Sequence, residues 1–153
     1  MEQEQDRAFI ARKLVDSLYV EAMVLADEAR SYFDGRADAD REALAPDLRV
    51  HFACESLRVT TRLMHIIAWL LTQRAVAAGE ITTNEARTPD RRLGEAPESD
   101  QQLARGFPEA ARELIQASQG LYDRVRRLER MSGAPVPTFS PARTLMSRLE
   151  RSF

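Results

Sequence analysis

The sequence predicts an all-α fold, an antiparallel three-helix bundle with a long polar loop between helices two and three and a flexible C-terminal tail. Three observations lead there. Apolar residues recur at alternating spacings of four and three along three long segments, the pattern of helices packed lengthwise on one another. Apart from Gly120, the glycines and prolines fall at the ends of those segments or outside them. No run of alternating β-branched and polar residues competes as a strand.

Helix one carries the seam Ala11, Val15, Leu18, Ala22, Leu25, Ala29 and Tyr32. It is expected to begin near Asp6 and to stop at Gly35, a natural C-terminal cap. The linker GRADADREALA leads to Pro46, which suits the first turn of a helix, and Asp47 adds an acid where the dipole favours one. Helix two then runs to Gly79. Its first seam is Leu57, Thr61, Met64, Ala68, Leu71, Ala75 and Ala78, and a second, Val59, Leu63, Ile66 and Leu70, lies beside it. A helix apolar over so wide an arc is expected to have at least two neighbours.

Residues 80–107 hold two prolines, two glycines and many charges, and read as a loop of the length that is often functional or mobile. Thr83 and Ser99 each stand where a short helical turn could start. Helix three starts near Pro108, follows Phe107, Ala110, Leu114, Ala117, Leu121, Val125 and Leu128, and ends at Ser132-Gly133. The domain organisation is therefore a bundle over residues 1–132 and a tail over 133–153. The tail has three prolines, then Leu145, Met146 and Leu149 at helical spacing; by itself it is too small to bury a core, so it is expected to be mobile and to become helical on binding.

Twenty-two basic and 24 acidic residues leave a net charge of -2, which gives no general attraction for nucleic acid or an anionic membrane. The longest apolar-looking run, LMHIIAWLL, is interrupted by a histidine and is far below the roughly 20 residues a membrane span needs. Cys54 has no partner for a disulfide and reads as a small buried thiol. With the polar, acidic start MEQEQDRAF in place of a signal peptide, a cytoplasmic location is expected.

Reactive constellations are sparse. His51 and Glu55 share a helical face and His65 follows lower, but the Glu-x-x-His spacing of di-iron bundles is absent, so no metal site is expected. No Gly-x-Ser-x-Gly turn, phosphate loop or dinucleotide fingerprint occurs, and neither an enzyme nor a cofactor is expected. The stretch DRVRRLER mixes Arg124, Arg127 and Arg130 with Asp123 and Glu129, a pattern typical of a solvated face, so nucleic acid is the alternative partner rather than the expected one.

Trp69 is the feature that asks for an explanation. It shares an arc of helix two with Arg58, Arg62, His65 and Gln73. These side chains either cover the flank of helix one or three, with an arginine stacked on the indole, or form a protein-facing patch for a homodimer or another partner.

The same helix carries a resemblance. Glu55-Ser56-Leu57-Arg58, Thr60-Thr61-Arg62-Leu63-Met64, Trp69-Leu70-Leu71, Gln73-Arg74-Ala75 and Gly79-Glu80 resemble the central signature of the regulator-of-CtrA-degradation (RcdA-like) family of small alphaproteobacterial helical proteins. Alanine 29 to glycine 35, reading ARSYFDG, is similar as well. The resemblance implies a three-helix bundle, a homodimer, and an adaptor role in which a cargo such as a cell-cycle regulator is delivered to the ClpXP protease. On this reading the partner-binding candidates are Arg58, Arg62, His65, Trp69 and Gln73 on helix two. Phe139, Leu145, Leu149 and Phe153 are the candidates in the tail. The expected function is that of a non-enzymatic adaptor acting by tethering; the alternative is a transcription-linked nucleic-acid-binding helical protein.

Overall fold

The computed structural model describes residues 1–133 and 148–152. Its main helices are α1 (Glu2–Phe33), α3 (Pro46–Ala77) and α6 (Glu109–Gly133), with shorter α2 (Ala37–Glu42), α4 (Thr83–Ala86) and α5 (Gln101–Ala104) between them. A 3-10 turn spans Pro89–Arg91, residues 148–152 are helical, and no strand occurs among the described residues. The expectations placed on Phe139, Leu145 and Phe153 lie outside the described residues.

Local chemistry sets the boundaries. Helix α1 starts at Glu2 rather than Asp6, and Glu2 and Glu4 place negative charge on its N-terminal dipole. It ends one residue before Asp34, in a right-handed cap, and the chain continues almost at once into α2, so the expected linker is partly helical. The Tyr32 hydroxyl donates to Asp40 at 2.7 Å and ties α2 to the end of α1. Helix α3 has Pro46 in its first turn and ends in a Schellman motif: Gly79, at φ 76°, lets the Glu80 N–H reach the Ala75 carbonyl while its own N–H reaches Val76.

The two short helical starts are each displaced by one residue from expectation. Thr82, not Thr83, forms a capping box with Glu85. Asp100, not Ser99, caps α5, because the Ser99 hydroxyl is engaged elsewhere.

Helices α1, α3 and α6 pack against one another in all three pairs. The core is built from Leu18, Ala22, Leu25, Ala29 and Tyr32 of α1, which is the predicted seam, with Val59, Leu63, Ile66 and Leu70 of α3. Helix α6 adds Ala111, Leu114, Ile115, Leu121 and Val125. Exposed Ala117 gives way to buried Ser118, whose hydroxyl has a partner in the core.

The helix directions correct the expected antiparallel bundle. Phe33 packs on Phe52 and Asp16 pairs with Arg74, so α1 and α3 run in opposite directions. Phe52 packs edge-on against Phe107, however, and ten residues on Arg62 reaches Ser118, so α3 and α6 run parallel. A tight turn cannot join parallel neighbours. After a helix of 32 residues, about 48 Å long, the chain has to travel back along the bundle before α6 can begin. Residues 80–107 make that return, which is the physical reason for the long polar segment.

Candidate functional site

The return segment is clamped to the groove between α3 and α6, and the clamp organises the face where the sequence placed a partner site. From top to bottom, the Leu93 N–H donates to Glu129 at 2.6 Å and Tyr122 donates its hydroxyl to the Gly94 carbonyl at 2.8 Å. Gly94 lies flat against the His65 ring: a Cβ there would stand 2.8 Å from Cγ of the ring and closer still to Nδ1 and Cε1. Lower down, Arg62 donates to the Pro97 carbonyl at 3.1 Å, to the Ser99 hydroxyl and to the Ser118 hydroxyl at 3.2 Å. Ser99 in turn donates to Glu55 at 2.5 Å, and Arg58 donates to the other oxygen of that carboxylate.

Arg62 is fully buried, and Glu55, Ser99 and Ser118 are buried with it. Burial pushes the Arg62 guanidinium pKa down, since desolvation disfavours the charge, and Glu55 is the largest influence in the opposite direction. A buried charge of this kind is tolerated only when paired and hydrogen-bonded, which Glu55, the two serines and the Pro97 carbonyl provide.

The five predicted helix-two residues do come together, but not as an open patch. Arg62 and Trp69 are buried, while Arg58, His65 and Gln73 are half-buried, and the return segment covers the Arg62–His65 part of the arc. This agrees with the first of the two readings, a face covered within the chain, although over Arg62 and His65 the return segment joins the neighbouring helix in covering it. Among the described residues no arginine is stacked on Trp69; Arg74 lies 4.4 Å over the Tyr19 ring and Arg36 5.8 Å over that of Tyr32. Of the tail candidates, Leu149 is described and is 51% exposed. His51 is exposed and Glu55 is committed to Ser99 and Arg58, so these two do not form a pair of free ligands. Cys54 is half-buried rather than buried.

The open apolar surface lies elsewhere. Leu57, Met64 and Leu71, seven residues apart on α3, are 68%, 65% and 46% exposed, and Val50 extends the row by another seven. This is the seam expected to pack on another helix; within one chain the adjacent row, Val59 to Leu70, takes that role instead. Helix α1 leaves Val20, Met23 and Val24 exposed. Two parallel apolar rows on one helix were visible in the sequence, but nothing in the spacing said which row the chain itself would cover.

The basic stretch of α6 is charge-balanced. Arg124 pairs with Glu21, and Arg126 and Arg130 border a cleft that also contains Glu95, Glu98 and Glu129. No helix among the described residues is long and apolar enough to cross a membrane.

These features define a class, the small helical-bundle proteins with a clamped return segment and an unburied apolar face. The chain belongs to the family described as "Protein of unknown function (DUF1465)", whose model matches residues 6–153. It is RcdA-like: RcdA from Caulobacter crescentus CB15, known from its crystal structure, is 36% identical with a TM-score of 0.64, over 77% of this chain and 89% of that one. None of the curated proteins matches.

Proposed function

We propose that this protein is a non-enzymatic adaptor in regulated proteolysis that acts as a homodimer and tethers a cargo regulator to a ClpXP-type protease. Its likeness to RcdA supports the proteolytic role. The observation that carries the binding-scaffold reading is the row Val50, Leu57, Met64 and Leu71, exposed along α3. Single exposed apolar residues are ordinary, but a heptad-spaced row on a helix is the surface another helix packs against. A second copy offering the same row satisfies both at once in an isologous contact. Tethering then works by effective concentration, so individually weak contacts on the bundle and the tail suffice.

The test is affinity capture from native cytoplasm with the full-length protein and with a Leu57→Glu/Met64→Glu variant, beside sedimentation of both. Protease subunits and a regulator retained by the wild type support the adaptor reading. Retention of nucleic acid alone would overturn it. A wild type that sediments as a monomer at micromolar concentration would remove the dimer.

A further inference from the structure

At the end of the bundle where α3 and α6 finish, an apolar groove of about 350 Å³ opens between the helices. Ala8, Ala11 and Val15 of α1 form one wall, Trp69 and Val76 of α3 the other, and Leu128 of α6 closes one side. Arg12, Asp16 and Arg74 stand on the rim. Helix α6 runs beside α3 to this end of the bundle, but past Leu128 it presents Glu129, Arg130 and the solvent-exposed Met131. The apolar walls of α1 and α3 are therefore left uncovered on that side.

We propose that this groove is the docking site of the chain's own C-terminal segment, residues 145–153, which covers the open apolar walls of α1 and α3. Four observations select that occupant. The chain leaves α6 at Gly133, five residues beyond Leu128, so the tail begins at the groove. Fourteen residues separate Gly133 from Arg148; even a fraction of their extended reach of about 3.3 Å each brings the end of the chain back to the groove. Residues 148–152 are helical, yet Leu149 is left half in solvent. Leu145, Leu149 and Phe153 recur every four residues, with Met146 beside the first, so a helix through them presents one apolar stripe.

The chemistry of the walls fits. Alanines let a helix approach closely, and bulky leucine, methionine and phenylalanine side chains pack into holes between small residues. Because the tail is covalently joined to the groove, its effective concentration there is high and a few apolar contacts are enough to seat it. A seated tail is withheld from other proteins, and one displaced from the groove is released to them. The inference does not depend on the proteolytic role, since its test contains no protease.

Two measurements on the full-length chain test it together. Trp69 is the sole tryptophan, so acrylamide quenching of its emission reads the groove. Leu145→Asp/Leu149→Asp is expected to increase quenching and shift the emission to the red while the helical circular dichroism is unchanged. Separately, Ala8→Cys/Ser152→Cys in a Cys54→Ser background is expected to close an intramolecular disulfide under mild oxidation. A control pairing Ser152→Cys with Asp38→Cys on α2, at the far end of the bundle, should close much less. Equal quenching in wild type and variant overturns the proposal, as does a disulfide yield no higher than the control's. Disulfide-linked dimers alone would also overturn it, by placing the tail in another copy's groove.

Discussion

Replacing Arg62 by alanine should destabilise the protein more than almost any other single substitution, and in a recognisable order. The side chain is fully buried and donates to Ser118, Ser99 and the Pro97 carbonyl. Hydrogen bonds from a charged group contribute about 1.5–3 kcal/mol each, which would sum well beyond what is expected in practice. The sum is offset by the desolvation cost that burial imposes on the guanidinium, the leading cause of its lowered pKa, and by Nε, which has no acceptor among the described residues. Breaking a buried pair by removing one partner typically costs about 3–5 kcal/mol, and Arg58 remains to satisfy part of Glu55. For a chain of this length that corresponds to a fall in Tm of roughly 10 °C. Hydrogen exchange adds the order: the amides of Leu93 and Gly94 and the segment through Ser99 should lose protection before the α1 and α3 cores do. Arg62→Lys should recover little, since one ammonium does not reproduce the guanidinium's planar fork. A loss below about 1 kcal/mol, or one in which the return segment and core open together, would refute the view that Arg62 holds the segment in place.

Other consequences follow from single contacts. Glycine 94 against the His65 ring predicts that Gly94→Ala costs about 1–3 kcal/mol by overpacking, measured by urea melts, and that a smaller ring neighbour in Gly94→Ala/His65→Ala restores most of it. Trp69→Ala should cost about 3–5 kcal/mol, because the indole is only 4% exposed; an unchanged melt would mean that it lies outside the core. Met64→Glu should leave the melt of a dilute sample within about 0.5 kcal/mol of wild type while abolishing the proposed dimer in sedimentation. Burial, then the hydrogen bond to Asp40 and its negative charge, raise the Tyr32 phenol well above the usual tyrosine range. A group whose folded pKa is raised supports the folded state below its unfolded value and loses that support above it, so stability should fall from about pH 10 upward. Tyr32→Phe should flatten that part of the pH profile, and an unaltered slope would discount the Tyr32–Asp40 contact.

Much of the helical layout was legible from local signals. Pro46 and Gly79 bound α3 where their backbone preferences require, and the α1 seam from Leu18 to Tyr32 is the seam that is buried. What local signals do not encode is helix direction. A seam packs equally well on a parallel or an antiparallel neighbour, and only the distance the connection must cover separates the two. The 28 residues between Gly79 and Pro108 are more than a hairpin of helices needs, and that excess was the available sign of a return path. The site followed the same logic. Trp69 and Arg62 were grouped on one face, but the burial of Arg62 depends on residues 35–56 positions away in sequence, namely Pro97, Ser99 and Ser118. No helical wheel of α3 contains that information.

The buried polar cluster also bears on why one packing of these helices prevails. Apolar seams are permissive, since sliding α6 by a turn or reversing it would still bury leucines against leucines. Arg62 is not permissive. In the observed register its hydrogens meet Ser118 on α6 and Ser99 and Pro97 on the return segment, while Glu55, about two turns earlier, completes the set through Ser99. In a reversed α6 the guanidinium would face apolar side chains and remain a buried, uncompensated charge, at a cost of several kcal/mol. The cluster thus penalises the alternatives more than it stabilises the native state, a role attested for buried polar groups in some coiled coils and absent in other proteins. The two contributions separate in a double variant, Glu55→Leu/Arg62→Met. If the cluster acts chiefly on specificity, that variant should approach wild-type stability yet show broadened core resonances and faster exchange across α6. A variant that is as stable and as uniquely packed as the wild type would leave the length of the return segment as the sole determinant of helix direction.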